Sequence, residues 1–197
     1  MNICQANISV QIKFVNVFGI GKFEKNKFRL TGIPFKIKEL VASSNYVPTI
    51  YVCLETKLKS FHKQIKLPRG TKYIGETSND DGCGGIFCFM DNNLSIENRQ
   101  NDVKVIVSKH ALYFKIKVEN QFLDLIAVYL PTERNEALSV IKEIDRFISD
   151  KNLTDFAFFG DLNIDFSSPW SVISLYGLGC NIVLQLGDLV KGVNGSL

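Results

Sequence analysis

The sequence predicts an α/β fold, a sandwich of two mixed β-sheets with helices on the outside. Three observations predict it. Long β-rich runs fill the middle of the chain, and a helix-then-strand unit lies on each side of them. The run Phe-Ala-Phe-Phe at 156–159 then ends on Gly160-Asp-Leu-Asn163. Strands and helices mixed in this way bury their apolar faces as packed sheets covered by helices.

Taken in order, residues 10–19 alternate weakly and are β-rich, which predicts a strand ending at 16–19. Ile33, Ile37, Leu40 and Val41 recur on one helical face, and 45–48 end that helix. Residues 49–54 (Thr-Ile-Tyr-Val-Cys-Leu) form a continuous apolar strand with Glu55 at its end. Residues 57–72 hold six cations and no acid, with a turn at Pro68-Arg-Gly70. A loop at 79–85 leads to a strand at 86–90, and 91–101 is polar and irregular. Strands follow at 103–108, 111–118 and 122–129, with 119–121 as a hairpin turn and His110 in the middle of the strands. The clearest helix spans 133–151, with a stripe of Ala137, Val140, Ile141, Ile144, Phe147 and Ile148 and Thr132 as N-cap. The strand at 155–159 comes next, stopped by Gly160. After Ser167 the pattern weakens to a short helix near 170–176, a strand at 181–186 and a Gly-rich end.

At 197 residues, 46% hydrophobic and 22% charged, the chain is a single globular domain. A net charge of +3 makes the whole molecule no polyanion binder, so a nucleic-acid surface requires local clustering. The five cysteines (Cys4, Cys53, Cys83, Cys88, Cys180) are scattered and lack zinc spacing, with His62 and His110 the only histidines. They read as reduced core residues of an intracellular protein. No signal peptide and no run of membrane-spanning length is present, so no membrane association is expected.

Four strand ends carry polar groups in apolar settings: Asn16, Glu55, Tyr129, and Asp161 with Asn163. Ligands of open α/β sheets sit above the carboxyl ends of strands. A carboxylate there can take a proton from water or hold a hard cation, and neutral donors can support phosphoryl charge. By itself Gly-Asp-x-Asn is equally a turn that satisfies its own backbone. A basic run of this kind is more often just a solvated loop.

Five segments in order resemble motifs of the endonuclease/exonuclease/phosphatase superfamily, and within it the apurinic-type endonuclease domains of non-LTR retrotransposons. They are Val15-Asn-Val-Phe-Gly-Ile20, Val52-Cys-Leu-Glu-Thr56, Gly84-Gly-Ile-Phe87, Leu125-Ile-Ala-Val-Tyr-Leu-Pro-Thr132 and Phe158-Phe-Gly-Asp-Leu-Asn163. The motifs lie within 10–165 of a domain that takes in 1–197. The resemblance implies a four-layer sandwich, two mixed sheets flanked by helices. It implies Mg²⁺ (or Mn²⁺) held by Glu55 with Asn16 beside it, and Tyr129 on the scissile phosphate. Asp161 would activate water, and Asn163 would bond around Asp161 and to the phosphate. Lys57, Lys59, Lys63, Lys66 and Arg69 would lie beside the site on the DNA backbone. A DNA partner and a nuclear location follow from the same resemblance.

The chain departs from the pattern in two places. Phe18 stands where the family commonly has an acid or amide, and the terminal Ser-Asp-His signature with its preceding Asp-bearing strand is absent. The expectation is a C-terminally truncated domain, last strands missing, whose Mg²⁺-dependent DNA endonuclease activity is impaired. The alternatives are a non-catalytic remnant and a phosphatase of the same superfamily. The basic run and the Val-Tyr-Leu-Pro-Thr motif favour the endonuclease over the phosphatase.

Overall fold

A computed structural model describes residues 10–17, 22–24, 27–29, 41, 47–57, 67–78 and 84–163. The expected helix at 33–41, apart from Val41, and the elements expected at 170–176 and 181–186 lie outside the described residues. So do Phe18, His62, Cys4, Cys83 and Cys180.

Ten strands are described: β1 Gln11–Asn16, β2 Lys22–Glu24, β3 Lys27–Arg29, β4 Thr49–Leu54, β5 Thr71–Thr77, β6 Ile86–Asp91, β7 Val103–Val107, β8 Ala111–Val118, β9 Gln121–Tyr129 and β10 Phe156–Asp161. One helical turn, α1 (Arg99–Asp102), and one long helix, α2 (Arg134–Lys151), join them. The strands form two mixed four-stranded sheets, ordered β1-β4-β6-β5 and β10-β9-β8-β7, beside a small β2-β3 hairpin. Each large sheet has one parallel pair at an edge, β1 with β4 and β10 with β9, and is otherwise antiparallel. The α/β sandwich expected from the sequence is the architecture observed.

Strand side chains alternate between faces. Ile50, Val52 and Leu54 of β4, Cys88 and Met90 of β6, and Leu112, Phe114 and Ile116 of β8 face inward, with Leu125 and Ala127 of β9 and Phe159 of β10. They form one buried core between the sheets. The opposite face of the second sheet carries Tyr113, Ile126, Val128 and Phe158, which pack under Val140, Ile144 and Ile148 of α2. Burying each of those three helical side chains stabilises the pair by roughly 1.5–3 kcal/mol. The outer face of the first sheet presents Tyr51, Cys53, Phe87 and Phe89, with helical Val41 packed against it. Cys53 and Cys88 are unpaired and point to opposite faces of that sheet. Burial pushes the Cys53 thiol up to about 12.

Several local readings need correcting. The N-cap of α2 is Glu133, not Thr132: its carboxylate accepts from the amides of Asn135 and Glu136 at 3.0 and 2.6 Å. Strand β10 is not stopped by Gly160 but runs through it to Asp161. A Cβ on Gly160 would stand 1.8 Å from the Val128 carbonyl oxygen, so the glycine admits close pairing with β9. Strand β5 was not foreseen. Gly75 and a bulge after Tyr73 break its alternation, because Gly75 packs where a Cβ would meet Val103 Cγ1 at 2.8 Å. The β2-β3 hairpin and the turn of α1 were also unforeseen. His110 lies in the turn before β8, not inside a strand.

Candidate active site at the strand ends

Alternation decides which polar groups meet. Ile12 and Phe14 of β1 line the inter-sheet core, so Asn16, two residues on, shares that face. Leu123, Leu125 and Ala127 place Tyr129 on the same inner face of β9, and Ala157 and Phe159 do so for Asp161 on β10. Register brings these ends level: Asn16 pairs with Leu54, immediately before Glu55, and Asp161 pairs with Tyr129. The carboxyl ends of both parallel pairs therefore open at one mouth between the sheets.

Across that mouth the Tyr129 hydroxyl donates to Glu55 Oε1 at 2.5 Å, a bond linking residues 74 positions apart. Burial first, then the Glu55 hydrogen bond and the charges of Glu55 and Asp161, hold the Tyr129 phenol well above its ordinary pKa; a hydrogen bond from Asn163 opposes them. Tyr129 is thus a standing donor at neutral pH. Asp161 Oδ1 accepts the Asn163 amide at 3.1 Å, and Asn163 Nδ2 donates to Leu130 O at 2.6 Å. The turn reading and the site reading of Asp161 and Asn163 coexist: Asn163, at φ 46°, ties the exit of β10 to the exit of β9.

Glu55 is held by a strained turn. Glu55 and Lys57 both have φ 52°, an unfavourable region for residues other than glycine. The turn is clasped to a glycine pair: Thr56 N donates to Gly85 O, and Lys57 N donates to Gly84 O at 2.8 Å. Gly85 N in turn donates to Lys109 O in the β7-β8 turn. A Cβ on Gly85, at φ +96°, would meet the Thr56 hydroxyl at 2.6 Å. This clasp joins the Glu55 sheet to the Tyr129 sheet. Its Gly-Gly signal was visible in the sequence, but its partner Lys109 was missed.

Of the basic run, the described cations Lys57, Arg69 and Lys72 do not lie together. Lys57 is exposed beside Glu55. Arg69 sits in the turn leading into β5, whose far end, Thr77, lies level with the site through Ile86 and Leu54. Arg69 is therefore about 20 Å from the mouth along a seven-residue strand. Lys72 Nζ is bonded to Asn92 O at that distant end. Lys59, Lys63 and Lys66 lie outside the described residues.

Two carboxylates converge on one phenol here, a field that favours a cation. Among the described residues no group of three or more His, Cys, Asp and Glu forms a metal cluster. The donors are all oxygen or amide groups, which suits Mg²⁺ or Mn²⁺ held through one or two carboxylates and water rather than zinc. Glu55 is a carboxylate there that could hold such a cation.

No protein-family model matches the chain, and no curated protein does. Among solved structures, it is similar to the endonuclease domain of TRAS1, a telomere-specific non-LTR retrotransposon. The identity is 16% and the TM-score 0.51, over 73% of this chain and 64% of that one. Two structures of beta toxin from Staphylococcus aureus align at 15% and 14% identity with TM-scores of 0.39 and 0.38. They cover 73% of this chain and 64% and 65% of theirs. The fold is thus that of the retrotransposon endonuclease domain, as the sequence motifs implied. The chain spans just under two thirds of that domain's length. Among the described residues no helix is long and apolar enough to cross a membrane.

Proposed function

We propose that the chain is a divalent-metal-dependent phosphodiester hydrolase module acting on DNA, with slow turnover. The observation that carries this reading is the Tyr129–Glu55 hydrogen bond between the sheets, with Asp161 close enough to raise the same phenol. A bound Mg²⁺ would supply positive charge to offset that of a phosphodiester. Asp161 accepts a proton from the attacking water, whose oxygen bonds to phosphorus as the P–O ester bond breaks. The departing oxygen takes its proton from solvent. In the free site the one Tyr129 hydrogen lies on Glu55; with a phosphodiester bound the phenol, kept protonated, turns that hydrogen to a phosphoryl oxygen, and Asn163 and Asn16 hold the strand ends around it. Lys57 offers charge to the DNA backbone beside Glu55. A nuclear location follows from a chromosomal substrate.

Slow turnover is part of the proposal because the described residues place no imidazole at the mouth. His110 bonds to a backbone carbonyl instead. Lacking one donor to developing phosphoryl charge costs roughly 10²–10³ in rate. A second reading, a DNA-binding domain without catalysis, is favoured by the commitment of Asn163 Nδ2 and Asp161 Oδ1 to backbone groups.

Nicking of supercoiled plasmid with Mg²⁺, with EDTA, and by Asp161→Ala tests the proposal. Weak metal-dependent nicking that Asp161→Ala abolishes is expected. Equal inertness of wild type and variant, with DNA still bound, would establish the second reading. Competition by duplex DNA but not by inositol phosphates separates the nuclease from a phosphatase.

A further inference from the structure

Strands β8 and β9 pair antiparallel from Val118↔Gln121 to Ala111↔Val128. The next rung would join His110 and Tyr129 by two backbone bonds, each residue donating to the other's carbonyl. Only one of them forms, from Tyr129 N–H to His110 O at 2.8 Å. The His110 N–H instead turns back to Val107 O at 3.1 Å and closes the β7-β8 turn. The Tyr129 carbonyl, deprived of that donor, is met by the ring of His110, whose Nδ1 lies 2.8 Å away. A carbonyl can only accept, so Nδ1 carries the hydrogen. His110 is buried, its side chain 8% exposed, and the ring lies parallel to that of Tyr129, 7° between planes. Its Nε2 stands 3.4 Å from Glu136 Oε1 of α2 but is not aligned for a hydrogen bond.

We propose that His110 is a positioning residue for the strand-end site, its Nδ1–H replacing the lost backbone rung and holding Tyr129 so that the phenol stays on Glu55. The inference rests on the hydrolase reading of that site for its consequence, though not for its geometry. Tyr129 is the last residue of β9, so without the imidazole its carbonyl has no donor from β8. The peptide could then rotate, and the phenol would swing with it. The same turn supplies Lys109 O to the Gly84–Gly85 clasp that carries Glu55. One turn therefore aligns both partners of the 2.5 Å bond. Misplacement by about 1 Å at such a site costs up to roughly 10²-fold in rate.

Two amides of different length test the assignment. His110→Asn puts an N–H near the place of Nδ1, whereas His110→Gln is closer to histidine in size but reaches the place of Nε2. In full-length chain with ring-¹³C-labelled tyrosine, the Tyr129 resonance is the one lost in Tyr129→Phe. Glu55→Gln marks where it moves when the carboxylate contact goes. A positioning role expects His110→Asn to keep the wild-type resonance and His110→Gln to move it toward the Glu55→Gln position. In parallel, kcat for nicking should fall about tenfold in His110→Gln alone, with KM unchanged. The reverse order, Gln like wild type and Asn shifted, would assign His110 to packing and overturn the proposal, as would a resonance unmoved in both folded variants. If the resonance moves as expected but wild type does not nick DNA, the positioning stands and the hydrolase reading falls.

Discussion

Replacing Gly160 with alanine should destabilise the protein far more than a single methyl group usually does. The Cβ would stand 1.8 Å from Val128 O, 2.8 Å from Val128 C and 3.0 Å from Val128 N. All three are backbone atoms of the paired strand, in register at Gly160↔Val128, so no side-chain rotation relieves the clash. At φ +140° the residue also occupies a region that L-residues rarely adopt, at a cost of roughly 1–3 kcal/mol. Overpacking adds about 1–3 kcal/mol more, and backbone contact puts the sum near the top, at about 4–6 kcal/mol. That is a large share of the roughly 5–15 kcal/mol of a whole domain. With an m-value of about 2 kcal/mol/M, the urea midpoint should fall by about 2–3 M, read by circular dichroism. Nicking should be lost as well, because Asp161 follows directly. A ΔΔG below about 1 kcal/mol with unchanged m would refute the reasoning and return Gly160 to an ordinary turn residue.

Tyr129→Phe should reduce Mg²⁺-dependent nicking about 10²-fold while shifting the chemical-denaturation free energy by less than about 1.5 kcal/mol, since the bond it loses is partly open to water. The Glu133 carboxyl is held below its ordinary pKa by the Asn135 and Glu136 amides. Its contribution to α2 is therefore fully present above the unfolded glutamate pKa of roughly 4 and lost as pH falls through the lower folded value. Acid titration of stability in wild type and Glu133→Gln should show the difference between them closing there. The Cys53 thiol, buried and titrating near 12, should resist alkylation at pH 8 until the chain is unfolded, as mass mapping of the labelled residue would show.

Much of this architecture is local information. Strands β4 and β8 and the body of α2 were readable to the residue or nearly so, because an unbroken apolar run and a 3.6-residue stripe each report burial directly. Strand β5 was not, because its interior glycine answers to Val103 and Leu112 on the other sheet. Gly160 was misread for the same reason: its lack of a side chain serves a neighbour 32 residues away. Thr132 lost the cap to Glu133 because the longer Glu133 carboxylate accepts from both the Asn135 and Glu136 amides, whereas cap propensity alone favours the threonine.

Asn16, Glu55, Tyr129 and Asp161 could be chosen from the sequence because each polar group closes an apolar strand. Strand alternation put Asn16, Tyr129 and Asp161 on the core-facing sides of their own strands. What only the tertiary structure decided is how the two faces meet. The Tyr129–Glu55 bond, the glycine clasp and the His110 rung all join residues of separate strands or sheets. The same structure separated Arg69 from Lys57, neighbours in one basic run that a strand's length carries to opposite ends of the sandwich. Spacing along a chain sets which face a side chain takes within its own strand. Distance across the molecule is set by register and packing between strands, which no single stretch of sequence contains.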